Sequence, residues 1–294
     1  MSSFFDRLLP VLATTGFTFE IICINDGSRD TTLEQLRELQ KRLACLRVFD
    51  LSRNFGKESA LTCGIDHARG QAIIPIDADL QDPPEVIGEM LKVWRQGFDV
   101  VLAQRVDRST DSLLKRKSAE LFYGLHNVIA EPPIPANVGD FRLMDRRVVD
   151  ALKSLPERRR FMKGLFAWVG FRHAIVPYSR ESRIAGKSKF SGWRLWNLAL
   201  EGITSFSTVP LRIWTYLGLG MALIAFAFGM FVVARTFFFG RDLPGYASLI
   251  TVVLFLGGVQ LIGLGVLGEY IGRLFSEAKG RPVYIIREKY ESAD

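Results

Sequence analysis

Two hydrophobic periods alternate along the first hundred residues. Residues 19–24 (Phe-Glu-Ile-Ile-Cys-Ile) form a short apolar run that ends at Asn25-Asp26-Gly27-Ser28, the pattern of a buried strand entering a turn. Leu33, Leu36, Leu39 and Leu43 then recur at helical spacing, behind Asp30 or Thr31 as cap and a Thr31-x-x-Glu34 capping box. Residues 46–51 predict the next strand, 58–68 a helix, and 72–76 (Ala-Ile-Ile-Pro-Ile) another buried strand. A helix over 85–96 and a strand over 98–103 continue the alternation, and residues 4–12 read as the end of an amphipathic helix. Such alternation predicts an α/β domain, Rossmann-like, with right-handed crossovers and a mostly parallel sheet covered on both faces.

From residue 105 the pattern loosens. Residues 113–129 predict a helix carrying Lys115, Arg116 and Lys117, and Pro132-Pro133-Ile134-Pro135 a rigid loop. Residues 137–144 read as a turn entering a short strand, 158–169 as a basic, aromatic helix, 172–178 as a strand, and 180–189 as a charged loop. Trp193, Trp196, Ala199, Leu200, Ile203 and Phe206 fall near helical spacing, which suits either a helix lying in a membrane interface or a core helix. Residues 213–234 carry no charge for about 22 positions and residues 243–268 none for about 26, each enough to cross a bilayer. The expected organisation is therefore a domain over 1–189, an interfacial helix over 190–208, two transmembrane helices (213–234 and 247–268) within 209–272, and a tail over 273–294. Two spans put both ends on one side. Arg212, Arg273, Lys279 and Arg281 flank them, against two arginines in the loop between, so the positive-inside rule places the domain and both termini in the cytosol. Glu269 and Arg273 stand one turn apart, at ion-pair spacing.

Composition agrees with this division. The chain has 294 residues, 48% of them hydrophobic, and a mean hydropathy of +0.15 that owes its sign to the C-terminal third. A net charge of +7 with a pI near 9.4 suits anionic partners: phosphates, diphosphates or an acidic membrane face. Nothing resembles a helix-turn-helix, zinc finger or RNP pattern, so nucleic acid is not expected as a partner. Cys23, Cys45 and Cys63 lack metal-ligand spacing and read as reduced core thiols. Residues 1–7 are polar, which predicts no signal peptide.

The candidate chemistry centres on Asp77-Ala78-Asp79-Leu80-Gln81-Asp82-Pro83-Pro84-Glu85. It follows a buried strand, where open α/β sheets place ligands, and Pro-Pro-Glu suits a first helical turn. If the strand end stays extended, Asp77 and Asp79 point the same way and supply two hard oxygen ligands for Mg²⁺ or Mn²⁺. Asp26 suits a base or ribose hydroxyl, or equally an Asx turn capping the next helix. A metal-held nucleotide diphosphate fits the acidic strand ends and basic loops. Two membrane spans suggest a lipid as second substrate.

Four motifs in order, Asn25-Asp26-Gly27-Ser28, Arg53-Asn54-Phe55-Gly56-Lys57, the acidic nonapeptide, and Gly139-Asp140-Phe141-Arg142-Leu143-Met144, resemble family 2 glycosyltransferases of the GT-A fold. Within them the chain is similar to polyprenyl-phosphate glycosyltransferases, most of all the bactoprenol glucosyltransferase type with two C-terminal spans. The resemblance implies a nucleotide-sugar donor, a polyprenyl-phosphate acceptor and inverting transfer of a hexose, with glucose from UDP-glucose the leading choice and mannose from GDP-mannose or aminoarabinose as alternatives. It implies Asp26 at the nucleotide, Asp77 and Asp79 on the metal, Gln81 supporting metal or diphosphate, and Asp140 as catalytic base. Arg183, Lys187 and Lys189 would hold a phosphate, with Arg105 and Lys117 as further anion ligands. An inactive scaffold retaining the fold is the competing class. The family opens with an apolar strand that here would precede Met1, so exposed sheet edges are expected. Gly257, Gly258, Gly263, Gly265 and Gly268 suit close helix packing and predict a homo-oligomer.

Overall fold

The structure, a computed structural model, describes residues 2–106, 138–158, 160–179, 208–240 and 245–291. The chain forms two compact units: Met1–Gly202 together with Gly280–Asp294, and Ile203–Lys279.

In the first unit the elements are α1 (Ser2–Thr14), β1 (Ile21–Asn25), α2 (Thr32–Arg42), β2 (Leu46–Leu51), α3 (Lys57–His67), β3 (Ala72–Ile73), a 3₁₀ turn (Pro84–Val86), α4 (Ile87–Trp94) and β4 (Val100–Arg105). After residues 107–137 come β5 (Val138–Asp145), α5 (Arg146–Ser154), α6 (Met162–Trp168) and β6 (His173–Tyr178). The class is α/β, as the alternation predicts. The sheet is more mixed than expected: β1–β2 and β4–β6 are parallel, whereas β3–β5 and β4–β5 are antiparallel. Antiparallel pairing needs no right-handed crossover, so β5 departs from the parallel pattern that the strand–helix alternation predicts. Among the described residues β1 pairs only with β2 and β3 only with β5, so the strands fall into two sheets.

β2 shows why this region folds as it does. Its side chains alternate faces, so Leu46 and Val48 join one apolar cluster with Phe5, Leu36, Met90 and Phe141, while Phe49 and Leu51 join another with Cys63. Every residue of β2 is buried, including Arg47 and Asp50. Their counter-charges come from both ends of the chain. Arg47 donates to Glu20 (2.7 Å) and to Glu291 (3.0 Å), and Asp50 accepts from Asn25 (2.7 Å) and lies 3.4 Å from Arg287. Residues 273–294 are thus more than a tail. They contain β7 (Ile286–Tyr290), antiparallel to β2.

Two local expectations change. Thr31 occupies the N-cap of α2 but forms no side-chain cap; Asp30 accepts from the Thr32 amide instead (3.1 Å), so the capping box is not made. The predicted strand over 72–76 ends at Ile73, because Pro75 has no N–H for a ladder. The three cysteines are unpaired, and burial pushes the Cys23 and Cys63 thiols up to about 12.

The second unit holds α7 (Val209–Phe239) and α8 (Tyr246–Ala278). Segments Leu211–Phe238 and Phe255–Ala278 are long and apolar enough to cross a membrane, and unlike core helices they are not buried by the protein. Glu269 and Arg273 form the expected pair at 3.0 Å. A Cβ on Gly263 would stand 3.3 Å from the Trp214 ring, so that glycine makes room for the neighbouring helix. The proposed interfacial helix lies outside the described residues.

Candidate active site

Two acidic loops follow strands in the first unit, and different groups hold them. In the first, the Asp26 carboxylate accepts from the Phe55 amide (2.7 Å) and the Gly56 amide (2.9 Å), while Asn54 Nδ2 donates to the Asp26 carbonyl (3.0 Å). The Asx turn that was the alternative reading of Asp26 gives way to a clamp between loops. The loops touch so closely that a Cβ on Gly27 would fall 2.5 Å from the Asn54 nitrogen, and Gly27 also has φ +66°; only glycine fits both conditions. The clamp fixes the start of α3, whose first residue is Lys57.

The second loop carries Asp77 and Asp79. The extended strand end that would have aligned them is absent: the ladder has stopped, and Ala78-Asp79 form a turn. Leu80 follows at φ +59°, an unfavourable conformation for a side chain with a Cβ, held by its burial in the core at 3% exposure. Asp79 Oδ1 accepts from the Gln81 amide (3.1 Å), and Gln81 Oε1 is buried without a hydrogen-bond partner among the described residues. Asp82 accepts from Tyr178 Oη (2.5 Å), and Glu85 takes a fork of hydrogen bonds from Arg7 (2.8 and 3.1 Å). These last two acids brace the loop against β6 and α1.

What meets Asp77 is Asp140. The Lys57 ammonium lies 2.7 Å from Asp77 Oδ2 and 2.8 Å from Asp140 Oδ2, so one cation joins acids from two loops. Asp140 sits near the start of β5, and its other oxygen, Oδ1, is buried without a hydrogen-bond partner among the described residues. Burial pushes the Asp140 carboxyl up, but Lys57 first, then Lys163 and Arg142, outweigh it and hold the group below the usual carboxylate range. Arg142, buried 4.0 Å over the Phe166 ring, donates to the Gly139 carbonyl (2.7 Å), and burial lowers it to about 10. Glu58 accepts from the Met162 amide (3.0 Å); burial, with the nearby Asp140 charge, raises its carboxyl.

The donor set fits a divalent cation. Asp77 and Asp140 are hard oxygen ligands that already converge on one positive charge, and Asp140 Oδ1 and Gln81 Oε1 are buried acceptors left over. Among the described residues no three His, Cys, Asp or Glu side chains form a complete metal set, so water or substrate would have to complete the coordination.

Arg105 ends β4 in register with Tyr178. Lys117, Arg183, Lys187 and Lys189 lie outside the described residues. Sequence reasoning singled out Asp77 and Asp140 but missed Lys57, Glu58 and Arg142 as parts of one cluster. Lys57 and Arg142 stand inside motifs that carried the resemblance, yet no spacing rule links positions 57, 77 and 140.

The family described as Glycosyl transferase family 2 matches residues 5–153, and the GtrB C-terminal hairpin matches residues 209–274. The chain is 57% identical over 274 residues to the SfII prophage-derived bactoprenol glucosyl transferase of Shigella flexneri, covering 93% of this chain and 89% of that one. It is 54% identical over 284 residues to a glycosyltransferase of Synechocystis sp., covering 97% of this chain and 89% of the other. A glycosyltransferase of Bacillus subtilis is 42% identical over 286 residues, covering 97% and 88%.

Proposed function

As the chain belongs to glycosyl transferase family 2 and is a glycosyltransferase, we propose that it moves glucose from UDP-glucose, with inversion, onto undecaprenyl phosphate at the cytosolic face of a membrane. The observation that carries this reading is the route of the chain. It leaves the first unit for two membrane-length helices and returns to pair β7 with β2. A helical hairpin inserted into a glycosyltransferase domain suits an acceptor that lives in the bilayer. The same return supports an even number of crossings, with the domain and both termini on the cytosolic side.

The reaction is a single displacement. A phosphate oxygen of the acceptor forms the new bond at the anomeric carbon as the bond to the nucleoside diphosphate breaks. The acceptor's second ionisation lies near pH 6, so it is mostly ionised at neutral pH and needs little help from a base. Asp140, held as a carboxylate of low basicity beside Lys57, then orients the acceptor and the local charges. Asp77, with Asp79, Gln81 and Asp140 as further oxygen donors, would hold Mg²⁺ or Mn²⁺, which when bound stabilises charge on the leaving diphosphate. Asp26 shapes the nucleotide side through the Arg53–Lys57 loop. Arg105, Lys117, Arg183, Lys187 and Lys189 are the residues assigned to phosphate groups. The glycines of α8 other than Gly263 that suit packing (Gly257, Gly258, Gly265, Gly268) have nothing among the described residues within 4 Å of an added Cβ, which supports a second copy packing there.

The test is transfer of radiolabelled sugar from UDP-glucose to undecaprenyl phosphate in membranes, with Mg²⁺ or Mn²⁺ and then with EDTA. Lipid-extractable, metal-dependent label is the expected result. Label from GDP-mannose instead would change the sugar, and no label from any nucleotide sugar would overturn the reading.

A further inference from the structure

We propose that the Lys57 ammonium and a divalent cation compete for the Asp77–Asp140 pair, and that Lys57, once displaced, turns to an oxygen of the substrate's diphosphate. The inference rests on the reading of this site as the donor site and names a residue which that reading leaves without a role.

Three observations carry it. First, Lys57 Nζ is within hydrogen-bond distance of both acids, at 2.7 and 2.8 Å, so it occupies the place between them that a shared cation would take. Second, the backbone at Lys57 is fixed while its head group is not. The Asp26 clamp on Phe55 and Gly56 immobilises the approach to α3, whereas the four-carbon stem can swing and the side chain is 53% exposed. Third, the site stays underfilled as an oxygen cage. Asp140 Oδ1 is buried without a hydrogen-bond partner among the described residues, although its sister oxygen is bound to Lys57. A permanent structural ion pair would be expected to satisfy the more buried acid on both oxygens. A lysine that alternates with a divalent ion need only neutralise the pair until that ion arrives. Its charge is then already beside the position where the diphosphate meets the metal, and lysine is suited to bind phosphate as a point charge.

The experiment measures Mn²⁺ binding to the detergent-solubilised full chain by electron paramagnetic resonance, without nucleotide sugar. Wild type, Lys57→Met, Lys57→Arg and Asp140→Asn are compared. Lys57→Met is expected to bind Mn²⁺ about tenfold more tightly than wild type, Lys57→Arg no more tightly, and Asp140→Asn more weakly. Sugar transfer by Lys57→Met at saturating Mn²⁺ is expected to fall about a hundredfold, mainly in kcat. Unchanged or weaker Mn²⁺ binding by a folded Lys57→Met would overturn the proposal and leave Lys57 as a brace that organises the two acids.

A second measurement needs no variant. The rate at which an amine-reactive reagent labels Lys57 in the wild-type protein is read by mass spectrometry. It should rise several-fold when Mn²⁺ is added and fall again with Mn²⁺ plus UDP; no rise with Mn²⁺ would overturn the proposal. Neither metal binding nor labelling requires sugar transfer, so the two readings fail separately. A wild-type chain that transfers no sugar while both readouts behave as expected would remove the proposed reaction and leave the exchange standing. Metal-dependent transfer with neither readout would do the reverse.

Discussion

The loops after β1 and β3 present the same chemistry in the sequence and opposite chemistry in the fold. Each puts an aspartate just past a strand. Asp26 faces two backbone amides and a close-packed neighbouring loop, whereas Asp77 faces the end of a lysine side chain shared with Asp140. Backbone amides in a clamped turn cannot move away without unfolding it. An ammonium on four methylenes can. One acid is therefore committed to architecture, and the other is held ready for exchange.

That contrast predicts where each substitution will register. The largest effect should come from Asp140→Asn, which removes the buried charge opposite Lys57. Transfer should fall by about 10²–10³-fold, the range for loss of one preorganised electrostatic group, while the melting temperature changes little. Raising the pH through the acceptor phosphate's own ionisation should not rescue it; a large rescue with unchanged acceptor binding would make Asp140 a true base. EDTA should abolish transfer by the wild-type enzyme without unfolding it, and Asp77→Asn should require far more Mn²⁺ for the same rate.

On the other side of the comparison, Asp26→Asn should act on stability first. An amide can accept through one oxygen only, so one of the Phe55 and Gly56 amides loses its partner, at about 1–3 kcal/mol. Thermal denaturation should show this before any change in metal requirement. If instead Asp26→Asn melted like wild type and lost only nucleotide affinity, the division between the two loops would be wrong.

The smallest effect belongs to a control outside both loops. Asp145 caps α5 by accepting from the Arg147 amide (3.0 Å) and also accepts from the Trp94 indole (2.9 Å). Burial raises its carboxyl, but these donors and the Arg147 side chain outweigh it and hold the group low. A carboxyl lowered by folding stabilises the fold above its unfolded value, near 3.9, and that contribution disappears as pH falls through the lower folded value. Asp145→Ala should therefore cost about 1 kcal/mol at neutral pH, and the gap from wild type should close in strong acid. Denaturant midpoints across pH would measure it.

Much of this is legible in the sequence. Short continuous apolar runs marked β1, β2 and β4, because a strand covered on both faces has no polar side to show. Leu33, Leu36 and Leu39 marked α2, because a helix buried on one face repeats its apolar side chains at helical spacing. The uncharged stretches marked α7 and α8, since a bilayer imposes a length and excludes charge. The motif order identified the family, and with it Asp77 and Asp140. Other features depend on partners far apart in the chain. Pro75 lies within an apolar run that reads as a strand, and only the ladder shows that pairing stops at Ile73. Arg47 and Asp50 look like surface charges, yet they are buried because Glu20, Asn25, Arg287 and Glu291 reach them.

The sequence by itself determined the apolar runs of the strands, the helical spacing of α2, the two membrane-length helices and the acids of the candidate site, because local spacing and composition encode burial and chemistry. Only the tertiary structure decided that residues 286–290 close the sheet on β2, that Asp26 clamps a loop, and that Lys57 stands between Asp77 and Asp140. Those are meetings of residues 20 to 242 positions apart, set by how the strands pair, and no local pattern records them.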